Sequence, residues 1–158
     1  MKKIQKALVC VDLSDYSKIT MEYACALTNS LVTRLEVINV INSRDVEAVR
    51  SASHYYPGQF SVERYLKEAK ADRYKRTLEI VKEYFYSDMT QVNILIQTGV
   101  PFKEILNTIE KEKVDLVIIG NKGRSNALGT LLGSNAEKVF RHSPVPVLSV
   151  RDRKQFSR

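Results

Sequence analysis

Four glycines fall between residues 120 and 133 of a 158-residue chain that has only six in all. The segment reads Gly120-Asn121-Lys122-Gly123-Arg124-Ser125, then Gly129, then Gly133-Ser134-Asn135. Glycine lets a loop take positive φ and lets backbone approach a ligand closely. The loop leads into a short helix with Ser134 in its first turn. Unsatisfied N–H groups and the positive end of the dipole make such a terminus an anion site. Lys122 and Arg124 add charge, so a phosphate chain suits every feature. A loop that simply turns, carrying two ordinary surface cations, would show the same glycines.

The remaining chain is read for what could position that loop. Residues 5–12 form an apolar run ending at Asp12, as expected of a strand buried on both faces. A helix follows from Ser14 or Asp15 to about residue 31, with Tyr16, Ile19, Tyr23, Leu27 and Leu31 as its stripe. A second strand spans 34–41. Residues 42–60, with two tyrosines, Pro57 and Gly58, read as a long connection of the kind that forms lids. A long helix over 61–86 is expected to bury Tyr74, Leu78, Val81 and Phe85. A third strand covers 91–97, and Pro101 opens a helix facing inward through Phe102, Ile105, Leu106 and Ile109. Residues 114–119, 134–142 and 145–150 read as strand, helix and strand. Strands alternating with helices predict a parallel sheet covered on both faces. Ligands of such sheets bind beyond the carboxyl ends of the strands. Asp12 ends the first strand there. It would contact a ribose hydroxyl or a phosphate-bound metal, or else cap the helix that follows.

The spacing Gly120, Gly123, Gly133-Ser134 resembles the signature of ATP-binding members of the universal stress protein family. So do Asp12 at the end of strand one, the Leu35-to-Val40 strand, Gly99 before a proline-started helix, and Ser143-Pro-Val-Pro-Val-Leu. The likeness covers nearly the whole chain. It implies a doubly wound five-stranded parallel sheet of order 3-2-1-4-5 with helices on both faces. That order also makes strands one and four neighbours, so that Asp12 and the Gly120 loop can serve one ligand. The resemblance further implies that Asp12 and Leu13 line the nucleoside end and that the Val40 backbone meets adenine. Gly120, Asn121, Lys122, Gly123 and Arg124 would lie beside ribose and phosphates, and Gly133, Ser134 and Asn135 at the phosphate-binding helix start. The ligand would be ATP, ADP or AMP, with Mg²⁺ as a companion, and the assembly a homodimer through Val145 to Val150. Two departures stand out. Leu13 replaces the glycine of an Asp-Gly-Ser junction, and Lys122 stands where histidine is common.

Other classes find less support. Position 125 is Ser where a Walker loop needs Gly. The first junction lacks the Ser-Gly-Gly loop of nucleotidyl-transferring enzymes with this sheet, which argues against such an enzyme; hydrolysis is expected to be slow at most, because no general base with clear support faces the phosphates. The formal charge of +7 is dispersed, and no basic aromatic stripe marks a nucleic-acid binder. His54 and His142 are far apart in sequence and make no metal spacing with Cys10 and Cys25, which read as buried thiols. The apolar run behind Met1 is too short for a secretory signal, and no stretch could span a membrane. A cytoplasmic domain over residues 1–150 with a basic tail at 151–158 is expected. A dimeric scaffold that has lost its nucleotide remains the alternative.

Overall fold

In the computed structural model, residues 4–28, 34–85, 91–122 and 133–152 are described. In chain order the elements are β1 (Lys6–Cys10), α1 (Asp15–Thr28), β2 (Arg34–Asn42), α2 (Ser43–Tyr55), α3 (Val62–Tyr84), β3 (Val92–Gly99), α4 (Pro101–Glu112), β4 (Leu116–Gly120), α5 (Ser134–His142) and β5 (Val147–Val150). The sheet is wholly parallel in the order β3-β2-β1-β4-β5, the expected order.

Two apolar layers sandwich this sheet because successive strand side chains alternate faces. Val9, Val37 and Ile118 pack with Met21 and Ala24 of α1 and Val81 of α3 on one face. Leu8, Ile38 and Val117 pack with Ile105 and Ile109 of α4 and Val139 of α5 on the other. Chain direction reverses its winding between β1 and β4, so a crevice opens there at the carboxyl edge.

Two expectations about the middle of the chain are corrected. Residues 42–60 are not a bare connection, since α2 occupies Ser43–Tyr55. Asn42 caps it, its Oδ1 accepting from the Arg44 N–H at 3.0 Å. Asp45 stands in the first turn, where a carboxylate suits the dipole. Along α3 the buried face is Arg73, Thr77 and Val81, whereas Tyr74 is exposed. Val81 is buried as expected, but one turn earlier the face is rotated so that Thr77 and the Arg73 guanidinium go inward. The final strand begins at Val147 rather than Val145, because Pro146 offers only its carbonyl, which accepts from the Val117 N–H at 3.0 Å.

Candidate functional site

Asp12 lies just past β1, and its Oδ1 organises the turn into α1. The Ser14 N–H and hydroxyl donate to it at 3.0 and 2.6 Å, and the Ser17 hydroxyl at 3.1 Å. The Asp12 N–H donates in turn to Ser17 Oγ at 3.1 Å. To close so tight a turn, Leu13 takes φ 64°. A left-handed backbone costs a residue with a Cβ about 1–2 kcal/mol and costs glycine nothing comparable. Leu13→Gly should therefore stabilise the fold by about 0.5–1 kcal/mol, after the extra entropy of an unfolded glycine is deducted. Melting would rise by roughly 1–4 °C. An unchanged or lower melting point would show that Leu13 packing outweighs the strain.

Across the crevice, Gly133 is the N-cap of α5 with φ −64° and ψ 146°, and no side chain caps the helix. The Gly133 N–H donates to the Asn121 carbonyl at 2.7 Å, which fixes the helix start against the end of β4. The first-turn amides are therefore held in place without a side-chain acceptor. Asp12, Val40, Gly120, Lys122, Gly133, Ser134 and Asn135 all line one cleft of about 380 Å³. Leu13 and Asn121 are not among its lining residues. Asn121 is buried instead, its backbone N–H bonded to the Val150 carbonyl at 2.8 Å. Gly123 and Arg124 lie outside the described residues.

Sequence reading missed a polar bridge at the β2 end of this cleft. Asn39, 1% exposed, donates from Nδ2 to the Val11 carbonyl at 2.9 Å. Its Oδ1 accepts from Arg73 Nη1 at 3.0 Å. The same nitrogen lies 3.5 Å from the Val40 carbonyl, and Nη2 lies 3.9 Å from Asp45. Arg73 is 8% exposed and lines the cleft together with Arg44 and Asn42. One signal was present in the sequence: Asn39, like Glu36, interrupts the apolar residues of a buried strand, and such a residue needs partners.

Among the described lining residues, Arg44, Arg73 and Lys122 face a single carboxylate, Asp12. With the α5 dipole added, the cleft favours an anion. Cys10 is half-buried on its wall, and burial pushes its thiol well above the usual range, leaving it a neutral, weak nucleophile. Cys25 is also half-buried and donates to the Tyr84 carbonyl at 3.3 Å. Among the described residues no group of three or more His, Cys, Asp or Glu could hold a metal, and no helix is long and apolar enough to cross a membrane.

The model of the Universal stress protein family matches residues 3–151. The chain belongs to that family. It is 29% identical to universal stress protein MJ0577 of Methanocaldococcus jannaschii, over 93% of this chain and 94% of the relative. It is 30% identical to universal stress protein YxiE of Bacillus subtilis, over 92% and 98%. The solved structure of MJ0577 superposes with a TM-score of 0.77 at 27% identity, covering 96% of this chain and 98% of the other. A universal stress protein solved in complex with cAMP shares the fold, with a TM-score of 0.65 at 22% identity over 95% and 98%. This universal stress protein therefore has the family's α/β fold along nearly its whole length.

Proposed function

We propose that this stress-response protein binds an adenine nucleotide, ATP foremost, across the cleft at the β1/β4 reversal. The observation that carries this reading is that Asp12 and the uncapped first turn of α5 line one cleft. The phosphates would lie on the α5 amides beside Lys122, with Gly123 and Arg124 joining them on sequence grounds. The nucleoside would extend past Gly120 and Asp12 toward Val40. ADP and AMP fit the same cleft with fewer phosphate contacts, and Mg²⁺ would accompany the triphosphate. A relative of this fold that holds cAMP supports an adenine ligand.

Hydrolysis is slow at most on this reading. Asp12 is the single carboxylate among the described lining residues, and its Oδ1 serves the turn into α1 by accepting from Ser14 and Ser17. The protein then acts as a switch, with ATP favouring one conformation over another. Residues 1–150 form the nucleotide-binding unit in the cytoplasm, and β5, at one edge of the sheet, pairs two copies.

Thermal melting with millimolar ATP and Mg²⁺ tests the proposal. Ligand at about 100 times its dissociation constant adds roughly 2.7 kcal/mol. For a domain of this size that is a rise on the order of 5–10 °C. Melting that ATP leaves unmoved would favour the scaffold that no longer binds nucleotide.

A further inference from the structure

We propose that the tip of the α2–α3 hairpin is a peripheral docking surface for an anionic phospholipid bilayer. The inference does not rest on the nucleotide reading above.

Three large aromatic side chains crowd this tip. Tyr55 is 80% exposed, Tyr56 57% and Phe60 47%. Neither core layer includes any of them. Every residue from His54 to Ser61 is exposed. Backbone bonds nevertheless close the turn. The Tyr56 N–H donates to the Ala52 carbonyl at 2.9 Å, and the Gln59 N–H to the Tyr56 carbonyl at 3.2 Å. Ser61 then caps α3, its Oγ accepting from the Arg64 N–H at 3.3 Å. Tyr56 and Phe60 pair edge to face, with ring centroids 6.4 Å apart. Gly58 stands in open space, with nothing within 4 Å of an added Cβ. The tip is also remote from the cleft wall. Eleven residues of α3, about 16 Å of helix, separate Val62 from Arg73.

Charge and size choose the occupant. From residue 50 to residue 67, Arg50, Arg64 and Lys67 stand against one acid, Glu63. All three cations are exposed. Arg50 lies 3.8 Å from Glu47, a surface pair that another anion can readily displace. A stable protein interface buries about 800 Å² on each partner. Three aromatic side chains supply about 150–250 Å² apiece, so even complete engulfment falls short of that. A bilayer surface needs no matching pocket. Tyrosine and phenylalanine rings settle at headgroup depth, where a tyrosine hydroxyl stays wet. The guanidinium and ammonium groups beside them meet lipid phosphates, whose negative surface also attracts a chain of charge +7. Docking of this kind asks for no spanning segment, and none of the described helices could supply one.

The test uses the full-length protein, which contains no tryptophan, in the absence of nucleotide. Flotation is measured with vesicles of phosphatidylcholine, alone or with about one-third phosphatidylglycerol. The wild type should bind the anionic vesicles at least about tenfold more tightly than the neutral ones, and should lose most of that binding in high salt. Tyr55→Ser, Tyr56→Ser and Phe60→Ser combined should weaken anionic binding by about tenfold or more. Arg64→Glu combined with Lys67→Glu should do the same, and decides the matter if the serine variant does not fold. Tyr55→Trp supplies a local signal. Its emission should move to the blue on anionic vesicles, whereas that of Tyr74→Trp, an exposed site farther along α3, should stay in place. A wild type that ignores anionic vesicles would overturn the proposal. So would wild-type binding by both combined variants, or equal shifts from the two tryptophan substitutions, since either places the contact elsewhere on the chain. A wild-type dimer that the serine variant loses would assign the tip to a second copy and overturn it as well.

Discussion

Asn39→Leu should lower the melting point by roughly 6–12 °C, although it replaces a buried amide with an apolar side chain of similar size. The reason lies in what the amide leaves behind. The Val11 carbonyl loses the donor at 2.9 Å, and Arg73 Nη1 loses the acceptor at 3.0 Å. An orphaned buried polar group costs about 1–3 kcal/mol, and breaking a buried charged contact from one side costs more. A total of about 3 kcal/mol is expected. Asn39→Asp keeps an acceptor for Arg73 and loses only the donor to Val11, so it should fall between wild type and leucine. Thermal denaturation of the three proteins gives that order, and a leucine variant as stable as wild type would refute the account. Because Arg73 joins β2 to α3 and approaches Asp45 of α2, the bridge also fixes one wall of the cleft.

The framework of the cleft could be read from the chain because its signals are local. Five apolar runs with glycine, proline and capping residues between them yield the alternation of strands and helices. The reversal between β1 and β4 then follows from requiring Asp12 and the Gly120 loop to meet. What could not be read is the side-chain traffic between elements distant in sequence. Arg73 faces inward where Asn39, 34 positions earlier, accepts a hydrogen bond from its guanidinium and Asp45 of α2 lies nearby. On periodicity alone, Tyr74 was the better candidate for the same buried face. Helix α2 was missed for a different reason. Tyr55, Tyr56 and Pro57 signal irregular chain, but they gather at its end, while the cap Asn42 and the acidic Asp45 stand at its start. Leu13 hides its conformation behind a residue type that rarely takes positive φ, so only the Asp-Leu-Ser departure hinted at it.

Gly120→Val should cost about 2–3 kcal/mol and, on the nucleotide-binding proposal, remove the melting shift expected with ATP. A Cβ at this position would lie 3.2 Å from the Lys122 carbonyl oxygen, 3.2 Å from Thr20 Oγ1 and 3.5 Å from Tyr16 Cβ. None of these can easily yield. The Lys122 oxygen is backbone, and Thr20 Oγ1 is committed to the Tyr16 carbonyl at 2.7 Å. The two γ-methyls of valine would push either α1 away from β4 or the Lys122 backbone into the cleft. Tyr16, Thr20 and Lys122 all line that cleft, so either response deforms the surface facing the ligand. Gly120→Ala, with the Cβ alone, should lose about 1 kcal/mol and keep a reduced shift. Gly58→Ala separates backbone strain from crowding. Gly58 has φ 85° with nothing within 4 Å of an added Cβ, so that variant loses a comparable amount of stability while its ATP shift stays whole. If Gly120→Val retained the full ATP shift, the end of β4 would not form part of the ligand surface. The nucleotide would then have to be placed elsewhere on this fold.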